Sequence, residues 1–157
     1  MDIEILRDNL LFREMDATEM KDCLKALSGR TQCFPKDAVI LRAGEAAERM
    51  GIVLRGSVTV ESNDIWGNCT ILSHVDADGF FAETYAYLGG VMLVDVVANA
   101  DCEVLFLRIH SAEQQIVLQV SNIHGALQKR FAFVVITTYL QCTLYYTDGR
   151  KARRRAK

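Results

Sequence analysis

The sequence GIVLRGSVTVES, residues 51–62, alternates in polarity, with Val58 and Val60 set against Thr59 and Glu61. A period of two marks an antiparallel strand with one face on a core. The stretches that follow have the same character: DIWGNCTILSHV (64–75), DGFFAETYAYLGG (78–90) and DVVANADCEVLFL (95–107). Gly44, Gly51, Gly56, Gly67, Gly79 and the pair Gly89-Gly90 punctuate them at turn-like intervals. A strand-rich centre from Met50 to about Ile109 follows. Inside it Glu83 sits in an otherwise apolar and aromatic turn. A carboxylate in that setting needs a partner, from the protein or from a ligand.

On the amino-terminal side, residues 3–27 have helical spacing, with Met20, Leu24 and Leu27 on one face. Asp16 or Thr18 is the expected cap, and Gly29 the stop. In TQCFPKDAVILRAGE, residues 31–45, Pro35-Lys36-Asp37 reads as a turn between two short strands and Ala43-Gly44-Glu45 as a second turn.

On the carboxyl side the period changes. Ser111 and Gln114 have capping-box form. Val120, Ile123, Leu127, Phe131, Val134 and Thr138 recur at steps of three or four, as in a long helix over about 111–146. Around 131–136 it is apolar nearly all round, Val135 included. Its own domain covers one face, and a second copy is the expected cover for the other, which makes a homodimer. The β-branched run 134–138 favours a strand instead, and Gly125 weakens a helix by up to ~1 kcal/mol. Residues 148–157 are expected to be a disordered basic tail.

Composition excludes several functions. A chain of 157 residues suits one domain, here residues 1–147. Its longest uncharged stretch, Phe131–Thr147, falls short of the ~20 residues of a membrane span. The first ten residues lack the apolar core of a secretory signal, so a cytoplasmic protein is expected. Cys23, Cys33, Cys69, Cys102 and Cys142 never form C-x-x-C and read as buried small side chains in a reducing compartment, rather than as redox sensors. His74, His110 and His124 stand apart from any metal-binding spacing, and Asp76 and Asp78 read as a solvated turn. No nucleophile motif or phosphate-cradling loop occurs. Neither catalytic residues, a metal nor a cofactor is expected. Net charge is −2, but Arg150–Lys157 hold six basic groups, which leaves 12 basic and 20 acidic residues elsewhere, a net of −8. Such a body repels nucleic acid.

The order of these segments resembles the cyclic nucleotide-binding-like effector domain of bacterial transcription regulators related to the cyclic AMP receptor protein and the fumarate-nitrate regulator. The residues that carry the likeness are FPKDAVILRAGE, IVLRGSVTV, DIWGNCTIL, FFAE, VVA and DCEVL, within residues 10–140. The resemblance implies a mainly β fold with flanking helices. This is a double-stranded antiparallel β-roll, jelly-roll-like, with short amino-terminal helices and a long carboxy-terminal dimerisation helix. It also implies ligand sensing and dimerisation within a regulator; the alternative is a truncated, regulator-like partner-binding module with no small-molecule ligand. Family regulators continue into a winged helix-turn-helix; the resemblance leads to no expectation of one within these 157 residues, so specific DNA binding is expected only if that domain is supplied.

Nucleotide-binding members of the family carry F-G-E, some ten residues, then R-[ST]-A before V-x-A. Glycine admits the backbone to the ligand, glutamate accepts from the ribose, and arginine neutralises the phosphate. In this chain Phe81-Ala82-Glu83 matches with alanine for glycine. The arginine position falls on Met92 and the hydroxyl position on Leu93, and no lysine or arginine lies between Arg55 and Arg108. A cyclic phosphate would stand unpaired against Met92, Leu93 and Val94, a cost of several kcal/mol. The resemblance therefore implies a pocket of Phe81, Ala82, Glu83, Thr84, Tyr85, Met92 and Leu93 for an effector other than cyclic AMP or cyclic GMP, uncharged or cationic. Alternatively, Glu83 is satisfied by amides of its own turn. Phe80, Phe81, Tyr85 and Tyr87 read as core and rim.

Overall fold

The computed structural model describes residues 3–13 and 15–109. A 3-10 turn at Ile3–Leu6 precedes α1 (Ala17–Ala26). Then come β1 (Arg30–Phe34), β2 (Val39–Leu41), β3 (Arg49–Arg55), β4 (Ser57–Asn63), β5 (Cys69–Asp76), β6 (Phe80–Phe81), α2 (Glu83–Leu88), β7 (Asp95–Ala98) and β8 (Cys102–Arg108). The strands form two four-stranded sheets, ordered β1-β8-β3-β6 and β2-β7-β4-β5, with every pairing antiparallel. Eight strands in two facing sheets with this order make a jelly roll. The helix expected over 111–146, with Val120, Ile123, Leu127, Phe131, Val134, Val135 and Thr138, lies outside the described residues, as does the basic tail.

β3 and β8 lie side by side in the first sheet and are covered on both faces, which is why they read as nearly continuous apolar runs. On one face Met50, Ile52, Leu105 and Leu107 pack with Leu6, Phe12, Met20 and Leu24 of the amino-terminal segment. On the other, Val53, Val104 and Phe106 meet Val58, Val96 and Ala98 of the second sheet. Burying each such side chain contributes about 1.5–3 kcal/mol.

The helix expected over 3–27 is broken. Asn9, fully buried, donates from Nδ2 to the Asp78 carbonyl (3.1 Å) and accepts at Oδ1 from the Leu11 N–H (3.1 Å). Asparagine competes with the helical backbone for hydrogen bonds, and here it ties the bend to the β5–β6 turn. α1 begins only after that bend. Asp16 accepts from Thr18 N and Glu19 N (2.8 Å each), and Glu19 Oε2 accepts from Asp16 N (2.9 Å). This reciprocal cap is worth about 1 kcal/mol.

The cysteines divide. Cys23 and Cys102 are buried, but Cys33 and Cys69, expected inside, are exposed on the edge strands β1 and β5. Burial pushes the Cys23 thiol up to about 12. The Cys69 thiol is raised mainly by its hydrogen bond to Glu61, and the Cys102 thiol mainly by burial. A raised thiol is a poor nucleophile. No helix among the described residues is long and apolar enough to cross a membrane.

Candidate functional site

β6 delivers Phe81 into the space between the sheets, opposite Gly51 of β3. A side chain at 51 would meet the Phe81 ring at 2.1 Å, so glycine is what lets the ring lie flat on the strand. Phe106 stands edge-on to Phe81 and to Phe34, with centroids 6.2 Å apart in both pairs. Such pairs add about 0.5–1.5 kcal/mol each beyond their area.

The chain then turns sharply. Ala82 adopts φ 59°, ψ 10°, the left-handed conformation. Leaving the β-strand there starts α2 at Glu83, where the sequence suggested only a turn. The helix ends at Gly89, also left-handed, and the Gly90 N–H donates to the Tyr85 carbonyl (2.9 Å). An alanine held in this region is strained by about 1–2 kcal/mol. Ala82→Gly is therefore expected to stabilise the domain. Glycine's greater freedom in the unfolded chain offsets part of the gain, leaving about 0.5–1 kcal/mol. A urea unfolding midpoint that falls on this substitution would show that alanine is accommodated without strain.

Glu83 is 1 % exposed and has an electrostatic or hydrogen-bonding partner within the protein. Thr84, half-buried, has its Oγ1 enclosed without a hydrogen-bond partner. Tyr85 packs on the inter-sheet core, and Phe80 and Tyr87 pack on the core beneath the amino-terminal segment.

The return segment is stitched to the turn after β2. Ala47 N donates to the Gly90 carbonyl (3.1 Å), Met92 N to the Glu45 carbonyl and Gly44 N to the Met92 carbonyl (2.8 Å each). Held from both sides, Met92 is 1 % exposed in the inter-sheet core with Val94 and Val96. Leu93, one place on, is 70 % exposed. Arg42 stands at the start of that turn, immediately after β2. Its carbonyl accepts from Glu45 N (3.2 Å), and its side chain is exposed to solvent.

The family model of the cyclic nucleotide-binding domain matches residues 31–117, more than half of the chain. The chain belongs to the cyclic nucleotide-binding domain family. Among solved structures, this domain is similar to the N-terminal domain of a transcriptional regulator from Streptomyces coelicolor A3(2), with 19% identity over 85% of this chain and 94% of that one, at a TM-score of 0.67. It is also similar to the sensor domain of the transcriptional regulator DNR from Pseudomonas aeruginosa, with 16% identity over 93% and 91% of the two chains and a TM-score of 0.66. Against the Thermus thermophilus catabolite activator protein, identity is 17% and the TM-score 0.69; the match covers 88% of this chain and 62% of that protein. At these identities the likeness is one of fold. No curated protein matches the sequence.

Elsewhere in this cyclic nucleotide-binding domain, a groove of about 400 Å³ opens where β1 meets the β3–β4 and β7–β8 turns. Cys33, Phe34, Pro35, Arg55 and Asp101 line it. It is separate from the Phe81–Met92 region. Among the described residues no cluster of histidine, cysteine or carboxylate side chains is arranged to hold a metal ion.

Proposed function

We propose that this domain senses an effector other than a cyclic nucleotide, as part of a bacterial transcription regulator that pairs through residues 120–138. The observation that carries the reading is Met92, sealed among apolar side chains where the resemblance puts a phosphate-binding arginine. An anion against that surface would lose its hydration with no cation in return. Thr84 Oγ1 supports a bound group at the turn, since an enclosed hydroxyl without a partner costs about 1–3 kcal/mol. A neutral or cationic effector with a donor or acceptor for Thr84 fits. By engaging residues 81–85 such an effector would bias the roll against the pairing segment, provided its affinity differs between the two arrangements.

Calorimetry with cyclic AMP and cyclic GMP, on protein whose solution mass is measured in parallel, tests this reading. A dimer that takes up neither nucleotide at concentrations up to about 1 mM is expected. Low-micromolar binding of either nucleotide would overturn the reading, and so would a monomer at tens of micromolar. Screening neutral and cationic metabolites by thermal shift then separates a sensor from a module that only binds partners, because a saturable ligand stabilises the fold and a flat screen leaves the partner-binding alternative.

A further inference from the structure

We propose that the outer face of the β4–β5 hairpin is a docking surface for this chain's own residues 143–157, folded back from the same copy. The inference stands apart from the effector reading. Ile65 and Trp66 at the hairpin tip are 90 % and 80 % exposed, and Ile71 and Leu93 are 59 % and 70 % exposed. The four belong to one end of the second sheet. Ile71 pairs with Glu61 of β4, and Glu61 pairs in turn with Asp95, two residues after Leu93.

The tip is built rigidly. Asp64 Oδ1 accepts from Trp66 N and Asn68 N (2.9 Å each), Oδ2 accepts from Asn68 Nδ2 (2.8 Å), and Asp64 N donates to the Asn68 carbonyl (3.0 Å). A tryptophan presented on a pre-set turn is the kind of anchor that dominates protein interfaces. Isolated exposed apolar residues are ordinary, but four large ones gathered at one end of a sheet mark an interaction site.

Charge selects the occupant. Between Arg55 and Arg108 the chain has eight carboxylates and no lysine or arginine. Glu61 and Asp95 stand among these apolar residues, linked to their strands by Asn63 Nδ2 donating to Asp95 Oδ2 (2.7 Å) and Cys69 Sγ donating to Glu61 Oε2 (3.4 Å). A fitting partner is apolar at one end and cationic at the other. Residues 143–157, TLYYTDGRKARRRAK, have that order: Leu144, Tyr145 and Tyr146 first, then six basic side chains. Thirty-three residues separate this segment from Ile109. They span about 50 Å as a helix and about 110 Å extended, either of which crosses a domain whose radius of gyration is near 13 Å. Anionic membrane surfaces fit worse, because the carboxylates would be repelled.

Trp66 is the only tryptophan, so its fluorescence reports the site directly. The full chain is compared with a variant in which Arg150, Lys151, Arg153, Arg154, Arg155 and Lys157 are all changed to glutamine. These substitutions leave the described domain untouched. The expected result is blue-shifted, acrylamide-protected emission in the full chain. It should move to the red on raising salt, as screening predicts, and lie to the red without salt in the variant. Dilution tests the source: a spectrum that holds on dilution is expected, and one that shifts would overturn docking within one copy by assigning the segment to a second. Emission of a fully solvated indole in both proteins would overturn the proposal, as would equal protection in both.

Discussion

Gly56→Ala is expected to lower the stability of the domain by about 3 kcal/mol, and urea unfolding measures it. Two terms contribute. Gly56 has φ +79°, where an alanine costs about 1–2 kcal/mol. The new Cβ would also stand 2.4 Å from the Asp101 carbonyl oxygen and 2.9 Å from the Cys102 Cα. Those are backbone atoms, held while Asn99 N donates to the Ser57 carbonyl (3.0 Å), so the β3–β4 and β7–β8 turns would have to part. Gly67 isolates the terms. Its φ is +84° and nothing lies within 4 Å of a built Cβ, so Gly67→Ala should cost only the conformational part, about 1 kcal/mol. Equal losses at the two positions would mean that the turns separate freely.

Met92→Arg is expected to destabilise by about 3–5 kcal/mol, the usual consequence of an uncompensated buried charge. The side chain is 1 % exposed, and backbone hydrogen bonds on both sides prevent the segment from rotating it outward. Met92→Leu, which keeps the volume, should cost under about 1.5 kcal/mol. The pair separates charge from packing. If the position is the one a phosphate would face, cyclic AMP raises the melting temperature of Met92→Arg and leaves the parent protein unchanged; at a hundredfold excess over Kd the gain is about 2.7 kcal/mol. A variant unresponsive to cyclic AMP would place the anion site elsewhere and remove the main support for a non-nucleotide effector.

Most of the roll was legible in the sequence because strand pairing leaves local marks. Alternation in 57–62, Pro35-Lys36-Asp37 and Ala43-Gly44-Glu45 all correspond to strands and turns at those places. Asp16 and the face of Met20, Leu24 and Leu27 were readable for the same reason, since a cap and a helical stripe are defined within one or two turns. What failed were features set from far along the chain. Asn9 breaks the expected amino-terminal helix through a contact with Asp78, 69 residues away. Thr59, set opposite Val58 and Val60, is only 6 % exposed on a central strand, a burial that polarity alternation does not register.

The same division holds at the site. Motif order alone carried the family, the match of Phe81-Ala82-Glu83, and the lack of any lysine or arginine between Arg55 and Arg108. These are properties of residue identity and spacing, which need no coordinates. Only the tertiary structure decided that Ala82 is left-handed, and that Met92 is sealed inside while Leu93 meets solvent. Burial and backbone conformation at those points depend on which distant segments pack there, and a one-dimensional pattern holds no record of that.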